Sequence, residues 1–242
     1  MSKTVIAALR SCVFYVAVTV LSIIWCPLLY LMWPLPFAVR RDFFRVWSYC
    51  VTWCGKWLCG MRYRFHGLEQ LGDLPVIFFS KHQSAWETLV FPGKLPRNCF
   101  ICKQSLLNIP IFGWGMRLGK HIPIDREESV KAFKQVIKQG RERLNKDKLS
   151  IVIFPEGTRI APGEHPEFHK SGAALARATS YPIVPIAHNS GKCWQRNRFI
   201  KFPGTIDVII GPRFDTKGHS VDDINHHCHD WIKTHMQKLE NA

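Results

Sequence analysis

Residues 76–87 read VIFFSKHQSAWE, and residues 151–159 read IVIFPEGTR. In each stretch a short apolar run passes directly into polar and charged residues. A short apolar run bounded in this way is typical of a buried strand that ends in a loop. Similar runs recur along the chain and are separated by amphipathic stretches. This alternation predicts an α/β domain.

The strand and helix patterns define the expected domain more closely. Strands are predicted at RYRF (62–65), VIFF (76–79), CFIC (99–102), HIPI (121–124), IVIF (151–154), IVPIA (183–187) and IDVII (206–210). Helices are predicted at residues 86–91, 104–118, 127–144, 168–180 and 221–239. Pro123 and Pro185 lie inside predicted strands, so we expect a sheet edge or a bulge at each. The predicted fold is a mixed, largely parallel sheet flanked by helices, formed by residues 61–242.

The first 60 residues have a different character. Residues 11–39 contain no charged residue, and a run of that length can enter the hydrocarbon core of a bilayer. Three prolines interrupt the run, and basic residues flank both of its ends: Pro27, Pro34 and Pro36; Lys3, Arg10, Arg40, Arg41 and Arg45. Residues 43–61 place Trp and Phe at helical spacing, which suits either a membrane interface or an ordinary core helix. We expect residues 1–60 to form a membrane-associating helical pair with both ends on the cytosolic side.

Composition narrows the possible partners. The 242 residues carry a formal net charge of +15, and 47% of them are hydrophobic. A disordered chain is therefore excluded, and an anionic partner is expected. No motif that reads DNA or RNA is present, which favours an anionic membrane surface over nucleic acid.

Cysteine usage points to a reducing environment. The count of nine is odd, and most cysteines lie in apolar stretches, so we expect a cytosol-facing protein without disulfides. Cys99 and Cys102 form a C-x-x-C pair within a predicted strand. Because no second pair completes a zinc site, no metal is predicted there.

His82 and Glu87 are the first candidates for catalysis. His82 follows a predicted strand, and a carboxylate five residues later can fix the tautomer of an imidazole that acts as a base. The spacing alone is weak evidence, since roughly 0.8 such matches are expected by chance in this composition. A second match, His235 with Glu240, falls on a predicted helix and is read as chance. Glu87 also has a structural interpretation, because Ser84-x-x-Glu87 can be a helix capping box.

The string FPEGTR at residues 154–159 is far more specific than a spaced pair. Arg159 can bind a phosphate bidentately, Glu156 can accept hydrogen bonds from hydroxyls, and Gly157 lets the backbone approach a ligand closely. The alternative is an ordinary strand and turn with a surface arginine. Lys103 directly follows a predicted strand, and Arg126 lies at the end of another. Both are further candidates for binding phosphate. The alternatives are a solvated surface lysine and an arginine paired with a nearby carboxylate.

Two histidine-rich stretches are not assigned to a site. His226, His227, Cys228 and His229 are consecutive on a predicted helix, so their side chains cannot converge on one ion. Residues 163–170 contain His165 and His169 in a predicted loop that could cover a substrate.

HQSAWE, GKHIPIDR, FPEGTR and IVPIAHN, in this order after an apolar N-terminus, resemble the 1-acyl-sn-glycerol-3-phosphate (lysophosphatidic acid) acyltransferase family. The resemblance covers roughly residues 60 to 215 and implies an α/β domain joined to membrane-associating helices, with no cofactor and no metal. It implies that His82 is the general base and that Glu87 occupies its carboxylate position. Two departures are visible: the carboxylate is usually Asp, and Pro123 stands where an aromatic residue is common.

The same resemblance implies an acceptor site and a reaction. Basic groups for the acceptor phosphate fall at Lys103, Arg126 and Arg159, while Glu156, Gly157 and Thr158 lie in the acceptor-binding motif. The expected reaction moves a fatty acyl group from acyl-CoA or acyl carrier protein to a lysophospholipid hydroxyl. The expected location is the cytosolic face of a membrane, the inner membrane if the source is bacterial. Another acceptor, such as glycerol-3-phosphate, or a non-catalytic lipid- or nucleic-acid-binding role is the alternative.

Overall fold

A central sheet organises the part of the chain that the structure, a computed structural model, describes: residues 2–110, 112–124 and 129–241. Within these ranges the sheet has seven strands in the order β1-β7-β6-β2-β5-β3-β4. The strands are β1 (Met61–His66), β2 (Ile77–Ser80), β3 (Asn98–Lys103), β4 (Ile122–Ile124), β5 (Ser150–Ile153), β6 (Ile183–His188) and β7 (Gly204–Ile210). Each lies at a run that the sequence predicts as a strand. All neighbouring pairs are parallel except β6 and β7, which confirms the mixed, largely parallel sheet.

The two strand prolines behave differently. Pro123 lies in the edge strand β4, as expected. Pro185 lies in β6, which is an internal strand, so the second of the two expected alternatives, a bulge, applies there. The register between β6 and the chain after β7 shifts by one residue between the Ile186–Ile210 pair and the Ile183–Phe214 bridge. Pro185, which lacks an N–H, therefore sits at a bulge in the ladder.

The helices of the α/β part are α3 (Trp86–Lys94), α4 (Phe112–Leu118), α5 (Ser129–Arg141), α6 (Ser171–Thr179) and α7 (Val221–Glu240). The predicted helix at residues 104–118 is divided: a 3-10 turn at Gln104–Asn108 precedes α4. Pro110 lies between them, and a proline disfavours helical backbone at the residue before it. α7 begins with a capping box in which Ser220 and Asp223 exchange hydrogen bonds.

Two long helices precede the sheet. They are α1 (Lys3–Leu31) and α2 (Phe37–Cys59), and a short turn containing Pro34 joins them. Pro27 does not end α1, contrary to the expectation that it would interrupt the run. α1 is long and apolar enough to cross a membrane, and only 17% of its most apolar window is buried. The Trp25 and Phe43 rings stack at 4.5 Å, so the two helices form a hairpin.

Two hydrophobic clusters cover the two faces of the sheet because alternate strand residues point to opposite sides. One cluster joins Phe78 and Val152 to residues of α1, α2 and α3. The other joins Ile77 and Ile151 to residues of α5, α6 and α7. Phe14 of α1 is 1% exposed within the first cluster. The helical hairpin is therefore part of the core that supports the sheet.

Candidate active site

Five parallel strands of the sheet end at the same edge, and polar side chains follow several of them. His82 follows β2, Lys103 ends β3, and the FPEGTR string follows β5. β2 is the central strand, so its loop lies between the loops of its neighbours. The carboxyl edge of a parallel sheet is where ligand sites form in α/β folds.

His82 and Glu87 form a hydrogen-bonded pair at this edge. His82 Nδ1 lies 2.8 Å from Glu87 Oε1. Since a carboxylate can only accept, Nδ1 carries the hydrogen and Nε2 keeps a free lone pair. The imidazole stacks on the Phe154 ring at 4.0 Å, which fixes the plane of the ring. Such an imidazole can take a proton from a group in front of Nε2.

Glu87 is fully buried and accepts several other hydrogen bonds. The backbone N–H groups of Gln83 and Ser84 each donate to Oε1 at 2.8 Å, and Ser190 Oγ donates to Oε2 at 3.0 Å. Burial alone would raise the pKa of Glu87, but nearby His188, His82 and the backbone donors together lower that pKa to about 2. Glu87 is thus an anion at neutral pH. The bond to Ser84 N is one half of a capping box, so the structural and catalytic interpretations of Glu87 are compatible.

A second buried pair holds the His82 loop from behind. Glu156 Oε2 accepts from the backbone N–H of His82 at 2.7 Å, and Glu156 Oε1 accepts from the Lys81 ammonium. Lys81 also donates to the Glu164 carbonyl at 2.7 Å. Burial raises the pKa of Glu156, while the Lys81 ammonium and the His82 amide oppose that rise. Both carboxylate oxygens of Glu156 are occupied, and its side chain is only 1% exposed.

Sequence reasoning missed three of these supporting residues. Lys81 and Ser190 are fully buried, as is His188, whose Nε2 donates to the Lys81 carbonyl at 2.7 Å. Burial lowers the pKa of His188, while the Glu87 carboxylate opposes that fall. His188 and Ser190 lie in the polar stretch HNS (188–190), which directly follows the predicted strand at 183–187. The same placement that singled out His82 could have identified them.

A cavity of about 920 Å³ opens in front of His82. Gly157, Thr158 and Arg159 line its wall. Four other polar or basic side chains line the same cavity: Lys103, His169, Lys170 and Arg196. Its described lining contains no acidic residue. Gly157 has a φ of 70°, so the turn after β5 needs a glycine at this position.

Most of the remaining cavity wall is apolar. Residues of α2, α3, α4 and α5 form it with the strand side chains: Phe44, Trp47, Leu89, Pro92, Met116, Phe133, Val136, Phe100, Ile101 and Ile153. Because Phe44 and Trp47 belong to α2, the helical hairpin contributes directly to the site. A cavity lined by both basic and apolar side chains matches a ligand that carries both a phosphate and a hydrocarbon chain.

The predicted site residues thus converge, with two qualifications. His82, Lys103, Gly157, Thr158 and Arg159 line the one cavity, whereas Glu87 and Glu156 lie behind its wall. Arg126 lies outside the described residues.

The residues set aside on sequence lie elsewhere, with one exception. His235 Nδ1 contacts the Trp231 carbonyl and makes no bond to Glu240, which instead accepts from the backbone N–H of Gly163. His169, from the loop that could cover a substrate, lines the cavity. Among the described residues no group of three or more metal-ligating side chains converges.

Known proteins are similar to this chain in sequence and in fold. The Acyltransferase family profile matches residues 62–189. The chain is 36% identical over 239 residues to a 1-acyl-sn-glycerol-3-phosphate acyltransferase of Pseudomonas aeruginosa, covering 97% of this chain and 93% of that protein. A Saccharomyces cerevisiae enzyme of the same name is 30% identical over 188 residues, which span 76% of this chain and 58% of the yeast protein.

A solved structure gives the same result for the fold. The 1-acyl-sn-glycerophosphate acyltransferase of Thermotoga maritima superposes with a TM-score of 0.85, at 20% identity, over 100% of this chain and 99% of that one. At this identity the likeness concerns the fold alone. The family profile and the similarity in sequence show that the chain belongs to the 1-acyl-sn-glycerol-3-phosphate acyltransferase family.

Proposed function

We propose that the chain transfers a fatty acyl group from a thioester to the free hydroxyl of 1-acyl-glycerol-3-phosphate, which gives phosphatidic acid. One observation carries the proposal: His82, paired with Glu87, lines a cavity whose wall combines basic and apolar side chains. Acyl-CoA and acyl carrier protein are both thioester donors with anionic carriers, and the basic side chains of the cavity can attract either carrier.

In the proposed reaction His82 acts as a general base. Its Nε2 takes the proton as the acceptor hydroxyl oxygen attacks the thioester carbonyl carbon. The ester C–O bond forms, the C–S bond breaks, and the proton then passes from His82 to the departing sulfur. Glu87 stays ionised and stabilises the imidazolium between these two steps. No covalent enzyme intermediate is required, since the substrate supplies the nucleophile.

Lys103 and Arg159 are proposed to hold the acceptor phosphate. Both line the cavity that contains His82, and a guanidinium can donate two parallel hydrogen bonds to phosphate. Arg126 is proposed for the same role from sequence alone. Gly157 and Thr158 would contact the glycerol backbone beside them. For Glu156 the proposed contribution is indirect: it holds the His82 backbone, because neither of its oxygens faces the cavity free of a partner.

The chain is proposed to lie on the cytosolic leaflet of a membrane without crossing it. Ser11 Oγ accepts from the Lys201 backbone at 2.8 Å, and the Tyr30 ring lies 6.2 Å from the Trp114 ring. These contacts are 19 residues apart, about 28 Å along a helix, which is close to the thickness of the hydrocarbon core. A helix that crosses the membrane would contact the α/β part only near one of its ends. α1 instead contacts that part near both Ser11 and Tyr30.

The test is an acceptor panel with purified full-length protein in neutral detergent. We expect transfer of a radiolabelled acyl group to 1-acyl-glycerol-3-phosphate in preference to glycerol-3-phosphate or lysophosphatidylcholine. His82→Ala should abolish turnover while the protein stays folded and membrane-bound. Preference for another acceptor would replace the proposed substrate, and substantial turnover by His82→Ala would remove the proposed base.

Kinetics of the phosphate residues complete the test. Lys103→Ala and Arg159→Ala should raise the KM for the acceptor more than they lower kcat, because phosphate contacts bind the ground and transition states alike. The matched control is Arg177→Ala, an exposed arginine on α6. An unchanged acceptor KM in both cavity variants would place the phosphate elsewhere.

A further inference from the structure

A second basic site lies outside the catalytic cavity, where α1 meets α2. Four arginines line a narrow cleft there: Arg40, Arg41 and Arg45 from α2, and Arg97 from the loop before β3. The described lining of the cleft contains no acidic side chain. Guanidinium groups are permanent cations, so the cleft concentrates positive charge that repels itself unless an anion is present.

Charge neutralisation within the described residues is incomplete. Asp42 accepts from Arg41 at 3.0 Å and lies 3.5 Å from Arg45, and 55% of its side chain is exposed. Arg40 makes no ion pair among the described residues. The Nε atoms of Arg40 and Arg45 are hidden from solvent and have no hydrogen-bond partner in the described part of the chain. Buried donors of this kind normally have partners, so the described residues do not fully satisfy these two arginines, and 41% of the Arg45 side chain is exposed to an acceptor from outside.

The surroundings of the cleft identify the environment from which that acceptor comes. The Arg40 guanidinium lies 5.8 Å from the centres of both the Trp33 and the Phe37 rings. Next to it the turn between the helices exposes Leu31 and Trp33, at 74% and 63%. Exposed Trp and Leu beside arginine form the arrangement that places cations at the level of lipid headgroups.

We propose that this arginine cleft binds the phosphate of an anionic phospholipid of the surrounding membrane, at a site separate from the catalytic cavity. The cleft has room for about one water molecule, about 20 Å³, so the phosphate rests at its mouth between the guanidinium groups. The fatty chains then lie against the exposed apolar turn. Arginine forks match phosphate oxygens bidentately, and the net negative charge of an anionic lipid, whose headgroup has no cation beside the phosphate, distinguishes it from a zwitterionic one.

The cleft is close to the catalytic cavity without being part of it. Phe44, Pro92 and His121 line both spaces and separate them. His121 Nδ1 accepts from the Phe100 backbone at 3.1 Å, so its ring is fixed in this wall. A lipid phosphate in the cleft is therefore a neighbour of the catalytic site and does not occupy it.

The experiment measures lipid retention by native mass spectrometry. The full-length protein in neutral detergent is offered phosphatidylglycerol and phosphatidylcholine in equal amounts. We expect the wild type to retain one phosphatidylglycerol in preference. Arg40→Gln with Arg45→Gln should lower this preference by about tenfold or more, since each basic contact near a lipid surface contributes roughly fivefold.

Three controls make the outcome decisive. Arg177→Gln with Lys217→Gln removes the same charge from exposed positions elsewhere and should keep the preference; an equal loss in both pairs would mean diffuse attraction and overturn the site. Arg159→Gln should also keep the preference, whereas its loss would assign the lipid to the catalytic cavity. Inorganic phosphate at millimolar concentration should not displace the lipid; displacement would make the cleft a site for free anions.

If the double variant fails to fold, Arg97→Gln, at an exposed position, serves in its place.

Discussion

Glu87 determines both the tautomer of His82 and the stability of the loop before α3. Because its pKa lies at about 2 instead of the ordinary 4.5, the ionised form stabilises the fold at every pH above about 4.5. That contribution disappears as the pH falls toward 2. A shift of this size corresponds to roughly 3 kcal/mol.

Glu87→Gln separates these roles. The amide cannot stabilise an imidazolium as a carboxylate does. We therefore expect kcat to fall by about a hundredfold or more, as in other enzymes whose catalytic histidine loses its carboxylate partner. The variant should also lose much of the acid sensitivity of thermal unfolding between pH 5 and pH 3, which the wild type should show. A purely structural capping role predicts near-normal kcat, and an identical pH dependence in both proteins would contradict the buried-anion assignment.

The Lys81–Glu156 pair is expected to act on stability more than on acceptor binding. Glu156→Gln leaves the Lys81 ammonium buried without its carboxylate, and Lys81→Met leaves the reverse; each should cost roughly 3–5 kcal/mol. The double variant Lys81→Met with Glu156→Gln should cost less than the sum of the two, because no buried charge remains. Denaturant unfolding in detergent gives these values. If Glu156→Gln instead raises the acceptor KM without loss of stability, then Glu156 contacts the acceptor directly.

At the scale of elements, α1 is attached to the α/β part by an aromatic cluster around Lys201. The Lys201 ammonium lies 3.5 Å from the centre of the Tyr15 ring and 4.4 Å from that of Trp194. It also donates to the Phe199 carbonyl at 2.6 Å. Burial lowers the pKa of Lys201 to about 8. Trp194 belongs to the segment that carries Ser190, so the attachment of α1 and the support of Glu87 share one short segment.

Trp194→Ala tests this attachment. Loss of the indole should cost about 3–5 kcal/mol and should increase hydrogen exchange in the first half of α1. Trp57→Ala is the matched control, because 61% of Trp57 is exposed on the outer face of α2. Equal exchange of α1 in the two variants would show that Trp194 does not hold the helix.

The sequence predicts the elements better than their contacts. The seven strands follow from short apolar runs, and His82 with FPEGTR follows from polar residues at strand ends. The internal position of Pro185 does not follow, since strand order depends on pairings between distant segments. The role of Glu156 is also invisible locally, because its partner Lys81 is 75 residues away and lysine is rarely buried.

At the scale of the molecule, the helical hairpin and the α/β part share one core. Trp47 and Val51 of α2 pack in the same cluster as Phe78 and Val184 of the sheet. The expected boundary after residue 60 coincides with the start of β1, but it separates elements that bury each other. Removing residues 1–60 would expose this cluster, so loss of activity after truncation would not measure membrane binding alone.

Topology in sealed vesicles tests the proposed position on one leaflet. Tags at the two ends of the chain should be digested by protease from the same side, because α1 and α2 form a hairpin that rests on the α/β part. Vesicles opened with detergent provide the control for complete digestion. Digestion of the two tags from opposite sides would establish a true span.

The long-range contacts of the first 66 residues have a consequence for biosynthesis. β1 pairs with β7 alone, Met61 opposite Gly204, and α1 docks on residues near 200. At a translation rate of about 5–20 residues per second, the hairpin leaves the ribosome roughly 7 to 30 s before these partners exist. During that interval its apolar surface has no protein to cover it, and lipid is the solvent that can. We therefore expect insertion at the membrane to precede closure of the sheet that holds the catalytic loop.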